Sequence, residues 1–271
     1  MKVSRVSIIA IVICLWVVGC TPEATPFPVD IPTISGTAAP GSQPSLRYAL
    51  AANTVNLVSD LTVIQAEAQV EQLTTPINLV ELGSRYDLVV GYGDLAGGTR
   101  SPVVHHIALI LNPSTAPLDN AVLINILRRS LNTQAIVAAL EMAGAEAVTF
   151  DSSSPTILRT ELANAGWPDG LSLILAQVYT PGAATVAEVL RLAGIQAQLL
   201  SLTEIEVVTA FEEGRIQAAL VTWKTAEERE SWVSRFENEN VIDLYSLPIS
   251  YVAVSGLNVE FTDDGWPIPA N

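Results

Sequence analysis

A chain of 271 residues with 13 Lys and Arg against 28 Asp and Glu carries a net charge of −15. That charge is repelled by phosphate backbones and anionic lipid headgroups, which argues against nucleic acid as a partner and against a basic membrane-binding patch. Hydrophobic residues make up 49% of the chain, enough at this length for one large domain or two small ones with a packed core. Both of its cysteines, Cys14 and Cys20, fall at the N-terminus, so the body of the chain is expected to hold neither a disulfide nor a cysteine metal site.

In chain order, the first segment has three parts. Lys2 and Arg5 give a positive start, Val6 to Val18 is an apolar run interrupted by Ser7, and Gly19-Cys20 closes it. A charged start, a short apolar stretch and small residues at the cut describe a secretory signal, and the stretch is short for a membrane span. Val17-Val18-Gly19-Cys20 resembles the lipobox of bacterial lipoproteins. That resemblance implies a diacylglycerol on Cys20, removal of residues 1–19, and a lipid anchor on the extracytoplasmic face of the cell membrane. A thiol is the strongest nucleophile available for such an alkylation. An ordinary secretory signal or an uncleaved anchor are the alternatives. Residues 20–45 then supply the lipidated cysteine and a Pro-, Ser-, Thr- and Gly-rich stretch without Lys or Arg, whose composition predicts a disordered, extended tether.

Ser45 to Ala52 reads as a strand, and Val55 to Leu73 spaces Val55, Leu57, Val58, Leu61, Ile64, Ala68 and Val70 mostly at helical intervals. Ile77 to Leu82 is ambiguous. Tyr86 to Tyr92 is a strand ended by Gly93-Asp94, Leu95 to Ser101 a turn-rich loop, and Val103 to Leu111 a strand with both faces apolar, hence central. Asp119 is the expected N-cap of a helix carrying Val122, Leu123, Ile126, Leu127 and Leu131. Helices follow from Thr133 to Gly144 and from Ser154-Pro155 to Gly166, then a turn at Trp167 to Gly170. Leu171 to Val178, Ala183 to Ala193, Ile195 to Leu200, Glu204 to Glu213 and Ile216 to Trp223 alternate strand, helix, strand, helix, strand, with Thr203 and Glu206 forming a capping box. Thr225 to Asn238 is a charged amphipathic helix, Val241 to Val254 two strands around Pro248, and Gly256 to Asn271 an irregular tail. No internal repeat is visible in the sequence.

Five segments, in order, resemble family 5 extracellular solute-binding proteins, the peptide- and nickel-type receptors of ABC importers. IALILNPSTAPLDNAVLINILRRSLNTQAIV (from Ile107) is similar to the family's hinge strand, Asn-Pro step and following helix. LRTELANAGWPDGLSL (from Leu158) matches a helix closing in A-G-[YW]-P-D-G before a strand. VLRLAGIQAQLL (from Val189), FEEGRIQAALVTW (from Phe211) and VIDLYSLPISYVAV (from Val241) complete the order. The resemblance covers Ile107 to Gly256. It implies an α/β fold of the periplasmic-binding-protein type II kind with the N-terminal lobe much reduced. Residues 46–110 would form that lobe and a hinge strand, residues 111–240 the second lobe, and residues 241–271 the return hinge strands and the tail. It also implies capture of a small solute, peptide-like or other, and an ABC permease as partner.

The chain departs from the family where peptide-binding members read W-x-x-D after the last strand of the second lobe. Here the loop is Trp223-Lys224-Thr225-Ala226, without that carboxylate. Trp223 is open to two readings, pocket lining or packing. Tyr179, before Pro181-Gly182, is a second candidate for the cleft, and Asn112, at the end of the hinge strand, either binds ligand or caps the next turn. Adjacent His105 and His106 point to opposite faces of a strand, so neither a metal nor another cofactor is expected. No nucleophile elbow, phosphate loop or zinc helix signature is present, and the chain is read as a binding protein rather than an enzyme. The competing expectation is a surface-tethered interaction module that keeps the fold without a ligand pocket.

Overall fold

A computed structural model of the chain describes residues 46–51, 68–73, 81–178, 180–236 and 240–270. The expected signal, Cys20 and the tether lie outside the described residues, as do most of the segment expected to be helical from Val55 and the ambiguous segment at Ile77.

The chain begins with strands β1 (Leu46–Leu50), β2 (Ala68–Gln72), β3 (Leu88–Tyr92) and β4 (Thr99–Leu111). Helices α1 (Ala121–Ser130) and α2 (Thr133–Leu140), the short strand β5 (Glu146–Ala147) and helix α3 (Pro155–Asn164) come next. Then β6 (Leu171–Gln177), α4 (Ala183–Leu192), β7 (Ile195–Ser201), α5 (Glu204–Glu212) and β8 (Ala218–Trp223) alternate as expected. The chain ends with α6 (Ala226–Phe236), β9 (Val241–Ala253) and the hairpin β10 (Val259–Phe261) and β11 (Pro267–Pro269).

The fold is α/β. Its main sheet has the order β2-β1-β3-β9-β4-β8-β6-β7, with β5 added beside β9. The order hides a duplication that the sequence does not display. In one half β1 lies between β2 and β3, parallel to both, and β3 then pairs antiparallel with β9. In the other half β6 lies between β7 and β8, parallel to both, and β8 then pairs antiparallel with β4. Each half therefore borrows its fourth strand from the opposite end of the chain. These two borrowed strands, each 13 residues long, pair antiparallel with each other and join the halves.

Period-two alternation sorts side chains onto two cores. Ile107, Leu109 and Leu111 of β4 join Leu171, Leu173 and Leu175 of β6 beneath Leu123 and Leu127 of α1, Leu158 and Leu162 of α3 and Val186 and Leu190 of α4. The intervening Ala108 and Ile110 turn the other way, with Val221 and Trp223 of β8, beneath Val207 and Phe211 of α5 and Trp232 of α6. Burying a side chain of this size contributes about 1.5–3 kcal/mol, and β4 contributes to both faces.

Several boundaries differ from expectation. Ala68 to Gln72 is a strand, not the end of a helix, because its every-other-residue apolar pattern pairs in register along β1. The N-cap of α1 is Asn120, whose Oδ1 accepts from the Val122 N–H at 2.9 Å, rather than Asp119. The preceding turn, with Leu118 N–H donating to the Thr115 carbonyl and Asn120 N–H to that of Pro117, delays the helix by one residue. Helix α2 stops at Leu140, where Glu141 takes a left-handed conformation (φ 53°), short of Gly144. Residues Val241–Ala253 form one strand, not two. Pro248 is tolerated because β4 shifts register beside it, between Arg100 and Val104, and a bulge does not require the missing N–H. The tail contains the β10–β11 hairpin, whose Pro267 and Pro269 disguise it as irregular. The capping box of α5 forms as expected, with Thr203 N–H donating to Glu206 Oε2 at 2.8 Å.

Gly182, at the entry to α4, is a backbone position no other residue fits. Its φ is 82°, and a Cβ there would stand 2.5 Å from Leu140 Cδ2 and 2.6 Å from Tyr245 Oη.

Candidate functional site

The three residues singled out from the sequence have different fates. Trp223 ends β8 and is buried, 3% exposed, in the core beneath α5 and α6; the Arg229 guanidinium sits 5.5 Å from the centre of its ring. Asn112 ends β4 and is 7% exposed. Its amide nitrogen donates to the carbonyls of Phe211 (3.0 Å) and Ile216 (3.4 Å), and its oxygen accepts from the Ser114 N–H at 3.2 Å. Every polar atom of that side chain thus has a protein partner, and the role it performs is to tie the β4 end to α5. Tyr179 lies outside the described residues. Trp223 and Asn112 stand at opposite ends of the β4–β8 ladder.

A different set of side chains converges where the two halves meet. Tyr48 comes from β1, Tyr92 from β3, His105 from β4 and Lys224 from the loop after β8. Against them lies the turn of the C-terminal hairpin, Asp264-Gly265-Trp266. Trp266 is wholly buried, edge-on to Tyr92 (centroids 5.6 Å apart) and to His105 (5.8 Å), and Tyr92 and His105 meet edge-on at 5.5 Å. Such edge-to-face contacts suit the ring quadrupoles and add about 0.5–1.5 kcal/mol each beyond burial.

The polar contacts fix the protonation pattern. His105 Nε2 lies 3.0 Å from the Asp264 carbonyl oxygen, which can only accept, so Nε2 carries the proton. Nδ1 is then an acceptor and takes the Tyr92 hydroxyl proton at 2.9 Å. Burial pushes the His105 pKa down from 6.5 to about 4; Lys224 and His106 add to the effect, and the Asp264 carbonyl and charge oppose it. The Asp264 carboxylate pairs with Lys224 Nζ, both side chains being no more than one third exposed. Tyr48, whose pKa burial pushes up, donates to the Pro267 carbonyl at 3.0 Å. Gly265, at φ 79°, passes so close to β4 that a Cβ there would stand 2.5 Å from Val103 Cβ and 2.7 Å from Ser101 Oγ. One polar atom is left over: the Trp266 indole N–H is buried and has no hydrogen-bond partner among the described residues.

His106, by contrast, is exposed and pairs across from Trp223. The adjacent histidines point to opposite sides of the sheet. Among the described residues no three His, Cys, Asp or Glu side chains gather as a metal site, and no helix is long and apolar enough to cross a membrane.

Sequence reasoning missed His105, Lys224 and Trp266 as a group. Two signals were available: a cation in the loop where the resembling family carries a carboxylate, and the Asp-Asp-Gly-Trp-Pro turn in the tail.

No protein-family model matches the chain, and no curated protein matches it. Solved structures similar to it include a dipeptide-binding protein from Pseudoalteromonas sp. SM9913 in complex with Met-Leu, at 10% identity, covering 74% of this chain and 57% of that one with a TM-score of 0.47. NikA from Brucella suis in complex with Fe(III)-EDTA is 13% identical over 76% of this chain and 62% of its own, with a TM-score of 0.49. DppA from Helicobacter pylori, an ABC transporter-associated periplasmic binding protein in complex with the peptide STSA, is 13% identical over 76% and 52%, with a TM-score of 0.48. The chain spans less than two thirds of the length of each. The strand order itself describes the fold. Two like half-sheets exchange their fourth strands within one α/β architecture.

Proposed function

We propose that this chain is a lipid-anchored solute-binding protein that works outside the cytoplasm and presents a small solute to the permease of an ABC-type importer. The observation that carries the reading is the pair of exchanged strands, β4 and β9. They join two half-sheets of like plan, and their ladder shifts register twice, between Arg100 and Val104 and between Ile107 and Ala108. A join made of two crossing strands, locally broken in register, is a place where two halves can bend toward each other around a ligand. The side chains that converge there come from both halves, as a ligand held between them requires. Trp223 is the lining residue that the family resemblance suggests, and Tyr179 is a candidate from its place in the sequence, before Pro181-Gly182 at the entry to α4. The lipobox-like Val17 to Cys20 supports anchoring at the outer face of the cell membrane, with the tether giving the body reach.

Two measurements test this. Mature protein screened for thermal stabilisation against pools of peptides, amines, sugars and metals is expected to respond to at least one class, since a ligand bound only by the native state raises its stability. No response to any pool sinks the solute-binding reading. Cys20→Ala is expected to move the protein from the membrane to the soluble fraction; unchanged membrane retention would refute the lipid anchor. A second reading, a tethered interaction module without a ligand pocket, is favoured by one observation: the turn of the chain's own tail fills the seat between the halves.

A further inference from the structure

That filled seat has features that distinguish it from ordinary core. Among the described residues the β10–β11 hairpin pairs with itself and shares no ladder with the main sheet, so it is able to leave without breaking a strand pair. It is held from outside by side-chain contacts: Tyr48 to the Pro267 carbonyl, His105 to the Asp264 carbonyl, Lys224 to the Asp264 carboxylate, and the indole among Tyr92 and His105. The groups doing the holding sit on strands of both halves and are fixed by the sheet. The fit is also incomplete, because the Trp266 N–H enters a buried site that offers it no acceptor among the described residues. A buried donor without a partner weakens the occupant that carries it.

We propose that Asp264-Gly265-Trp266 is an internal ligand, and that its seat is the chain's recognition site for short peptides carrying a carboxylate two residues before an aromatic side chain. This rests on the solute-binding reading and names its ligand class. Lys224 reads the carboxylate, His105 Nε2 donates to the backbone carbonyl of the acidic residue, the Tyr48 hydroxyl donates to the carbonyl after the aromatic residue, and the Tyr92–His105 edges frame the ring. The absent carboxylate after Trp223 then has a physical counterpart. The loop presents a cation instead, so the ligand must bring the negative charge. The residue between the two anchors must be glycine or equally slight, because the space beside Val103 and Ser101 admits no Cβ.

The probe is N-acetyl-Asp-Gly-Trp-Pro-amide, whose proline carbonyl is the counterpart of the Pro267 carbonyl that Tyr48 holds, with N-acetyl-Asn-Gly-Trp-Pro-amide and N-acetyl-Asp-Ala-Trp-Pro-amide as controls, added to the mature full-length chain. In the unsubstituted protein, saturating peptide is expected to speed hydrogen exchange at the Gly265 and Trp266 amides at least tenfold while leaving the β4 amides unchanged. Trp266→Ala, which removes the competing ring, is expected to bind the probe at least tenfold more tightly than the unsubstituted chain by calorimetry. Both controls are expected to bind at least tenfold more weakly, and Lys224→Glu to abolish the preference for Asp over Asn. If Trp266→Ala does not fold, the exchange measurement on the unsubstituted chain decides alone. Tail amides that stay protected at all peptide concentrations overturn the proposal. A chain stabilised by some other solute while its tail stays protected overturns the internal ligand and leaves the solute-binding reading standing.

Discussion

Acid should loosen this protein through one side chain. His105 is neutral in the native state and its burial holds its pKa at about 4, against 6.5 for a solvated imidazole. Between those two pH values the unfolded chain takes up a proton that the native chain refuses. Native stability is therefore full above about pH 6.5 and falls as the pH drops toward 4. The loss approaches about 1.4 kcal/mol per pH unit in the middle of that window and tapers at its ends, so moving from pH 6.5 to 4.5 removes roughly 2 kcal/mol. His105→Gln isolates the effect, because a Gln side chain can still accept from the Tyr92 hydroxyl and donate to the Asp264 carbonyl without titrating. The assay is urea unfolding followed by tryptophan fluorescence at half-unit steps of pH. The unsubstituted protein should lose roughly 2 kcal/mol more across the window than the Gln variant. The other histidine, His106, is present in both and cancels in the comparison. Parallel pH profiles for the two proteins would refute the reasoning, since they would mean that the imidazole is hydrated or charged in the native state.

Asn112→Ala leaves the Phe211 and Ile216 carbonyls and the Ser114 N–H without their side-chain partner, and should lower stability by about 2 kcal/mol in the same unfolding assay. Gly182→Ala drives a methyl into Leu140 and the Tyr245 hydroxyl at a left-handed backbone position, and should cost about 2 kcal/mol or more. A loss below half that would show that the α4 entry can shift. Lys224→Met and Asp264→Asn, combined in a double-mutant cycle, should show a coupling of roughly 1 kcal/mol that shrinks in high salt.

The elements that sequence reasoning located correctly are those whose signal is local. The capping box at Thr203 and Glu206, the Ser154-Pro155 start of α3 and the glycines after α3, α4 and α5 each act within one turn of chain. The apolar run Val103 to Leu111 announced a central strand because both its faces are covered. What the sequence concealed depends on partners far away in the chain. Ala68 to Gln72 is a strand because β1 lies beside it, and Pro248 sits inside a strand because β4 bulges opposite. The site was hidden for the same reason. His105, Lys224 and Trp266 are separated by more than a hundred residues end to end, and the exchange of strands between halves brings them into contact. The indole of Trp266 looked like part of a loose tail because the turn that buries it is bounded by prolines.

The position of β9 has a consequence for how the molecule comes into being. It lies between β3 and β4, which share no ladder of their own among the described residues, yet it is made only after residue 240. A chain that emerges N-terminus first must therefore keep β3 and β4 apart, with an open slot about one strand wide, until Val241–Ala253 are free. The half built from β7, β6, β8 and β4 has all its strands by residue 223, whereas the half built from β2, β1 and β3 waits for β9, the strand that joins the two. Contacts so distant in sequence form slowly. The nascent chain thus passes through a stage that exposes two unpaired strand edges, and a shielding partner at that stage would have more to protect here than in a fold completed piece by piece.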